Sequence, residues 1–286
     1  VCRNFQNKED KLQREKKDQL KKEDKKMQET LIYLATVLPV IFLLIMVYYV
    51  DRFREPPRFI VGTFFLGVGI AFPLHFFIII VEKIIGPLVG IDPESLGSYQ
   101  MFFRAAYLEE SLKFAFLIYF CARLSELDEP MDPIIYGAAL GLGYAGYENI
   151  PYIFSMEDYD SMWGMVVARV FPTIMHLGVG IIMGTFVSMN LFRQWDEFKR
   201  RLYIVLALMI PVVLHGMYNH FIQEYVQTVL LFVIMIVTIL YYQRREQNKK
   251  IVEREDRLRI ANKDVFIAYA STLVLVAFLI IVSNYR

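Results

Sequence analysis

The sequence predicts an all-α, polytopic integral membrane protein, and three observations lead to that fold class. The chain has 286 residues, of which 56% are hydrophobic, against roughly 45–50% in ordinary soluble domains. Eight apolar runs are each long enough to cross a bilayer, since about 20 helical residues span a hydrocarbon core of about 30 Å. The runs lack the alternating pattern of barrel strands, and a helix satisfies its own backbone hydrogen bonds in lipid.

The predicted spans follow a polar start and occupy most of the chain. They lie at residues 31–50, 59–81, 101–121, 133–155, 163–190, 202–222, 226–242 and 265–283. We therefore divide the chain into four parts, which are a charged tail at 1–30, a membrane core at 31–242, a charged loop at 243–264 and an additional span at 265–286. The tail carries ten basic and seven acidic side chains, so we expect a solvated helix or a disordered segment there.

Basic residues in the short connections predict the orientation of the spans. The connections at 51–58, 122–132, 193–201 and 243–264 carry sixteen Lys and Arg residues, and the alternate connections carry two. Cytoplasmic loops are enriched in Lys and Arg, so the first set is predicted to be cytoplasmic. The ten basic residues of the tail conflict with this orientation. Either a span upstream of residue 1 or the near cancellation of the tail's charges would resolve the conflict.

The composition also excludes several classes of function. The formal net charge is +1, which gives no reason to expect a nucleic acid partner. The two cysteines can form neither a disulfide framework nor a thiolate metal cluster. The sequence contains no GxSxG elbow, HExxH motif or P-loop, so the motifs of soluble hydrolases are missing.

The third span carries three charges at its centre, which are Glu109, Glu110 and Lys113. Each charge costs about 2.5–3.5 kcal/mol at the centre of an isolated helix, so this helix needs partners inside the bundle. Lys113 lies three and four residues after the two glutamates, and it can neutralise one of them but not both. The other carboxylate is predicted to bind a proton, a metal ion or a group on another helix, an arrangement suited to acid/base chemistry.

The fourth span combines small residues with polar ones. Four glycines allow a neighbouring helix to approach closely, namely Gly137, Gly141, Gly143 and Gly146. Glu148 and Asn149 follow them in the sequence. Arg169 at the start of the fifth span is a candidate partner for Glu148. His75 of the second span is interpreted as a hydrogen-bonded packing residue.

Histidines in two further spans lie at a depth similar to that of the acids. His176 belongs to the fifth span, where Gly180 and Gly184 repeat the small-residue spacing. In the sixth span His215 and Asn219 are four residues apart, so they share one face of the helix. Glu109, Glu148 and His215 each lie about eight residues, or about 12 Å, from the outer ends of their spans. We therefore expect one buried site in the outer half of the bilayer.

Four separated stretches resemble motifs of the PrsW family of intramembrane proteases, which act on anti-sigma factors. They are EESLK from Glu109 to Lys113, GYAGYEN ending at Asn149, PTIMH ending at His176 and LHGMYN ending at Asn219. The loop DRFREPP, residues 51–57, is also similar to the family's loop after its first span, and the likeness covers residues 31–242. Two positions depart from the family pattern, because Tyr144 stands where Phe is common and Asn219 where Asp is common. The related prenyl-protein (CAAX-type) endoproteases share the HxxxN pattern, but Lys113 and Glu148 fit PrsW better.

The resemblance implies an intramembrane protease in the cell membrane that cleaves a single-span membrane protein near its outer boundary. Glu109 or Glu110 would activate water, with the other glutamate held by Lys113. His215 and Asn219 would stabilise the oxyanion, His176 would orient the base or protonate the leaving amine, and Glu148 and Asn149 would support the site.

A zinc-dependent version of this chemistry is an alternative, in which His176, His215 and a glutamate such as Glu109 hold the metal. The rivals from other classes are a proton-coupled transporter and a receptor-like scaffold, because buried charges also mark ion pathways and structural ion pairs. No internal repeat typical of transporters is evident in the sequence.

Overall fold

The computed structural model describes residues 2–89, 97–193, 196–220, 233–235, 237–239, 241–242 and 260–284. Over these ranges the chain forms helices and no strand, which confirms the all-α prediction. Five helical stretches in the described part are long and apolar enough to cross a membrane, namely Gln13–Val50, Pro57–Leu88, Tyr159–Phe192, Glu197–His220 and Asn262–Ser283. Most of the predicted span at 226–242 and most of the charged loop at 243–264 lie outside the described residues.

The first helix joins the charged tail to the first predicted span without interruption. Helix α1 covers Cys2–Val50, and its side chains between residues 13 and 30 are mostly exposed. Several large apolar side chains in its second half are also exposed, including Phe42 and Tyr49. An apolar surface of this kind fits contact with lipid rather than with water.

The second span is built from consecutive helical segments. They are α2 (Pro57–Gly69), α3 (Ala71–Ile79), a π-helical segment (Ile80–Ile85) and the short α4 (Gly86–Val89). His75 Nδ1 lies 2.7 Å from the carbonyl of Ala71, which confirms the predicted hydrogen bond. The side chain is exposed, so its predicted role in packing is not supported.

The third predicted span begins as a π-helix and continues as an α-helix. The π-helical segment Tyr99–Tyr107 leads directly into α5 (Leu108–Tyr119), which a 3₁₀ turn at Cys121–Arg123 follows. π-Helical segments are rare and frequently occur at functional sites. Here the change of helix type falls immediately before Glu109.

Helix α6 (Asp132–Phe154) lies at the centre of the bundle. Every residue from 131 to 145 is buried, and α6 packs most extensively on α8 and then on α2. It is not one of the five apolar stretches, and its sequence includes glycines, tyrosines and the polar pair Glu148 and Asn149. Its surroundings in the bundle are therefore mainly protein, whereas α1 and α2 have exposed apolar faces.

The remaining helices complete the wall around α6. They are α7 (Tyr159–Ala168), α8 (Val170–Phe192), α9 (Glu197–His220) and α10 (Asn262–Asn284). The predicted fifth span at 163–190 corresponds to α7 and α8 together, with a one-residue turn at Arg169. Helix α8 packs on both α6 and α9, and this arrangement brings together three of the four helices that carry the predicted site.

Candidate active site

Lys113 and Glu110 form a fully buried ion pair on α5. Lys113 Nζ donates a hydrogen bond of 2.7 Å to Glu110 Oε1, and the two side chains are 1% and 0% exposed. The spacing alone allowed Lys113 to reach either glutamate, and the structure shows that it pairs with Glu110. The ammonium also lies 4.5 Å from the centre of the Tyr144 ring, a favourable cation–π geometry.

His176 is held between Lys113 and Glu148. Its Nδ1 lies 3.0 Å from Lys113 Nζ, and its Nε2 lies 3.1 Å from Glu148 Oε2. An ammonium group has only donors, so Nδ1 accepts and the imidazole proton resides on Nε2, which donates to the carboxylate. His176 is therefore a neutral imidazole whose ring orientation is fixed on both sides.

Glu148 has a second partner at the junction of α7 and α8. Arg169 Nη2 donates to Glu148 Oε2, which confirms the predicted pairing of these two residues. Arg169 Nε donates to Asn149 Oδ1 at 2.7 Å, and Asn149 Nδ2 donates to Thr173 Oγ1 at 2.9 Å. Asn149 therefore supports the arginine that neutralises Glu148 and does not itself contact the histidines.

His215 on α9 connects the two glutamates of α5. Its Nδ1 lies 2.8 Å from Glu110 Oε1, and its Nε2 lies 4.0 Å from Glu109 Oε2. A carboxylate only accepts hydrogen bonds, so Nδ1 carries the proton and the lone pair of Nε2 faces Glu109. In this neutral tautomer His215 is an acceptor on the Glu109 side, and its predicted role as an oxyanion donor requires a protonated ring.

Glu109 is the one carboxylate of this group without a cationic partner in the described part of the chain. The group holds three carboxylates and two cations. Lys113 pairs with Glu110 and Arg169 pairs with Glu148, which leaves Glu109 over. Glu109 is 6% exposed, and its Oε2 accepts no hydrogen bond from the described residues. A buried carboxylate without a partner is costly, so this position favours binding of a proton, a cation or a polarised water.

Close helix packing brings these side chains together. A side-chain carbon at Gly141 would overlap the backbone carbonyl of His176, so α6 and α8 can approach only because this residue is glycine. Tyr144 and Glu148 follow Gly141 by one and two turns, which places both beside His176. The rings of Tyr144 and His176 meet edge to face with centroids 5.2 Å apart.

The same principle places α9 against the helix that carries the glutamates. A side-chain carbon at Gly216 would overlap the ring of Phe102, which belongs to the π-helical segment before α5. The neighbouring residue His215 can then reach Glu110, and its ring lies 5.0 Å from that of His176.

A cavity of about 470 Å³ opens onto this group. Six of its lining residues are Glu109, Tyr144, Glu148, His176, His215 and Asn219. Glu110 and Lys113 are not among the lining residues, so they lie behind the cavity wall. Glu109 is therefore the glutamate of α5 that faces the space where a substrate or water can enter.

Most of the predicted site residues are brought together, and two lie further out. Glu109, Glu110, His176 and His215 each offer a ligand atom within 4.8 Å of the others. Asn219 lines the cavity outside this group, and Asn149 lies behind Arg169. No sequence pattern singles out Thr173, which accepts a hydrogen bond from Asn149. Tyr144 stands out in the sequence only as a departure from a family pattern.

The chain is similar to known membrane proteases. A family model described as "PrsW family intramembrane metalloprotease" matches residues 55–242. The chain belongs to the PrsW family. No solved structure matches the chain.

Several bacterial proteins named Protease PrsW are similar to this PrsW-family chain over most of their length. The protein of Bacillus subtilis is 31% identical over 189 residues, which cover 65% of this chain and 79% of that protein. The protein of Oceanobacillus iheyensis is 27% identical over 221 residues, 76% of this chain and 96% of that protein. The protein of Clostridioides difficile is 27% identical over 232 residues, 81% of this chain and 95% of that protein.

Membership of the PrsW family identifies the chain as a multi-pass intramembrane protease. The predicted resemblance and the predicted enzyme class are therefore confirmed. All four motif segments lie within the matched residues 55–242. The transporter and scaffold alternatives are not supported, because the matched family and the named relatives are proteases.

The donor set of the site fits the metal that the family description implies. Two carboxylates and two imidazoles provide the oxygen and nitrogen ligands that zinc accepts, and Glu109 Oε2 and Glu110 Oε2 are both buried without a hydrogen-bond partner among the described residues. Each histidine also gives a ring N–H to a carboxylate, Glu148 or Glu110, as metal-binding histidines commonly do. Lys113 Nζ lies beside His176 Nδ1, so coordination through that nitrogen would displace the lysine contact.

Proposed function

We propose that the chain hydrolyses a single-span membrane protein near the extracytoplasmic side, with Glu109 as the general base. The observation that carries the proposal is the position of Glu109, which lines the cavity and faces His215 Nε2 at 4.0 Å. No described residue gives it a cationic partner. A water molecule with two hydrogen bonds of about 2.8 Å bridges atoms about 4–5 Å apart. Glu109 and His215 are thus spaced to hold one water between two acceptors.

In this mechanism the water oxygen attacks the carbonyl carbon of the scissile peptide and its proton passes to Glu109. The amide of Asn219, which lines the same cavity, donates to the developing oxyanion. The carbon–nitrogen bond then breaks, and the proton passes from Glu109 to the leaving amine. His215 Nε2 accepts the second hydrogen bond of the attacking water, and its Nδ1–H bond to Glu110 keeps the ring in this tautomer.

The other members of the group position these reacting side chains. Glu110, paired with Lys113, fixes the tautomer of His215. Glu148 and Lys113 fix His176. If zinc is bound, Glu109, Glu110, His176 and His215 are the residues that would hold it, and the metal would lower the pKa of bound water and polarise the peptide carbonyl.

The size of the cavity and the family resemblance support the choice of substrate. A volume of about 470 Å³ is within the range of about 300–1,000 Å³ found for ligand pockets. Such a space accepts a short extended segment rather than an intact helix. The end of a membrane span unwinds most readily, which favours a cut near the membrane boundary of an anti-sigma-factor-like, single-span protein.

Reconstitution in proteoliposomes tests this function. Wild type is mixed with a single-span protein whose extracytoplasmic domain has been trimmed, and the products are located by mass spectrometry. We expect wild type to make one cut near the outer end of the span and the double variant Glu109→Gln/His215→Ala to make none. The control variant Glu157→Gln, which changes an exposed acid, should cleave as wild type does. Equal cleavage by the double variant, or cleavage of multi-span proteins at the same rate, would contradict the proposal.

Metal analysis addresses the cofactor in the same preparation. Loss of cleavage on treatment with a chelator, with recovery on addition of zinc, would support the metal-dependent version. Full cleavage by protein that contains less than about one metal per ten chains would support the metal-free version, because a required metal must be present at the site.

A further inference from the structure

A second group of acidic side chains lies far from the candidate active site. Asp51 and Glu55 come from the connection between α1 and α2, and Asp128, Glu129 and Asp132 come from the connection before α6 and its first residue. Their ligand atoms form two triads around the shared Asp132, and within each triad the atoms lie within 4.8 Å of one another. Asp132 and Glu148 are sixteen residues apart on α6, or about 24 Å along its axis.

Burial separates this group from an ordinary acidic surface. Asp132, Asp51 and Glu55 are 0%, 3% and 8% exposed. Asp132 Oδ2 accepts hydrogen bonds from the backbone N–H groups of Asp128 at 2.7 Å and Glu129 at 2.8 Å. Its other oxygen, Oδ1, is buried and has no hydrogen-bond partner among the described residues.

A second buried polar atom lies one turn further along α6. The hydroxyl of Tyr136 is buried and without a hydrogen-bond partner in the described part of the chain. Glu55 and Asp132 are among the charged groups that surround it. Buried polar atoms are usually hydrogen-bonded, so two such atoms beside one group of acids indicate that a ligand binds there.

Four of the five acids lack a basic partner in the described part of the chain. Within the described residues, no basic side chain forms an ion pair with Asp51, Glu55, Glu129 or Asp132. Carboxylates gathered in this way repel one another unless a proton or a cation lies between them.

We propose that this group binds a hard divalent cation, Ca²⁺ or Mg²⁺, between the α1–α2 connection and the start of α6. All the available ligands are carboxylate oxygens, which suit these cations, and the group offers no imidazole or thiolate for zinc. Asp132 belongs to both triads, and its Oδ1, which has no hydrogen-bond partner among the described residues, is the oxygen left for the cation. Ca²⁺ takes six to eight oxygen ligands and Mg²⁺ keeps several waters, so the number of carboxylates engaged distinguishes the two.

The cation would link two connections that the chain brings together from distant positions. Asp51 is fixed by a hydrogen bond from the backbone N–H of Phe53 at 3.0 Å, and Asp132 is fixed by the two backbone bonds of its own loop. A cation shared by both sides would hold α1 and α2 against the beginning of α6. Its role is therefore structural, at the end of α6 opposite to Glu148.

Thermal unfolding of the purified full chain in detergent tests the proposal, with CaCl₂ and MgCl₂ as separate additions after removal of metals by a chelator. We expect at least one cation to raise the Tm with a Kd between about 10⁻⁶ and 10⁻³ M. Glu55→Gln and Asp132→Asn should each weaken this effect at least about tenfold. Glu157→Gln and the active-site variant Glu109→Gln should retain it.

A second readout separates a lost ligand from a damaged fold. In metal-free buffer Glu55→Gln and Glu129→Gln should have a Tm equal to or above that of wild type, because each removes repulsion among the acids. A wild-type Tm that neither cation changes would overturn the proposal. A Tm shift of wild-type size in the Glu55→Gln and Asp132→Asn variants would also overturn it. A Tm shift lost only in Glu109→Gln would place the cation in the active site and overturn the proposal as well.

Discussion

Substitution of Lys113 by Met should strongly destabilise the protein, because it removes the cation from a fully buried pair. Lys113 and Glu110 are 1% and 0% exposed with 2.7 Å between Nζ and Oε1. Removing one partner of such a pair costs about 3–5 kcal/mol, since the remaining charge stays buried without compensation. Among the described residues, Glu110 Oε1 would then keep the hydrogen bond from His215 and the 4.0 Å approach of His176 Nδ1.

The double variant Lys113→Met/Glu110→Gln should be more stable than Lys113→Met alone. It removes the uncompensated charge as well as its partner, so we expect a coupling energy of about 2–3 kcal/mol between the two positions. The free energy of unfolding is measured in mixed micelles by denaturant titration for wild type, both single variants and the double variant. Lys199→Met is the matched control, because Lys199 pairs with Asp196 on the surface and its loss should change little.

A coupling energy near zero would refute this reasoning. It would mean that Lys113 and Glu110 do not neutralise each other in the folded protein. Glu109 would then lose its status as the one carboxylate without a cation, and the assignment of the two glutamates would have to be reversed or abandoned.

Three further predictions follow from the packing and the hydrogen bonds around the site. Gly141→Ala should lower the free energy of unfolding by about 1–3 kcal/mol, measured by the same titration, because its methyl group would overlap the carbonyl of His176. Gly62→Ala is the control and should leave the free energy of unfolding unchanged, because its methyl group would meet nothing within 4 Å. Arg169→Met should slow cleavage about 10–100-fold, measured as kcat in proteoliposomes, because Glu148 then orients His176 less firmly. Tyr144→Phe should slow cleavage no more than about tenfold, since the ring that packs on Lys113 and His176 is retained.

Each of these predictions has an outcome that contradicts it. Equal stability of the two alanine variants would mean that α6 and α8 do not depend on close contact at Gly141. Unchanged kcat in Arg169→Met would show that Glu148 needs no cation to orient His176. A loss of activity in Tyr144→Phe as large as that of Glu109→Gln would make the tyrosine hydroxyl part of the reacting group.

The sequence predicted the composition of the site because charged residues in apolar spans are costly. Glu109, Glu110 and Lys113 stand out against nonpolar neighbours, and the glycines of α6 and α8 indicate where helices meet. The pairing of Lys113 with Glu110 could not be predicted, because the glutamates lie three and four residues away and both are within reach. The pairing is decided by His215, which approaches Glu110 from another helix.

The second acidic group shows what sequence patterns miss. The loop DRFREPP was noted only as a family resemblance, and acids in a short connection normally face solvent. Their burial results from tertiary contact between two connections that are about 75 residues apart in the sequence. The π-helical segment before Glu109 was also not predicted, since an apolar run of this kind favours a regular α-helix.

The rate of peptide cleavage by Glu109→Gln under single-turnover conditions tests the central claim most directly. Glutamine keeps the size of the side chain and removes the base and the uncompensated charge. We predict a rate constant at least about 100-fold below that of wild type, with a free energy of unfolding equal to or above the wild-type value. A rate within about tenfold of wild type would show that Glu109 does not activate the water, and the proposed mechanism would be wrong.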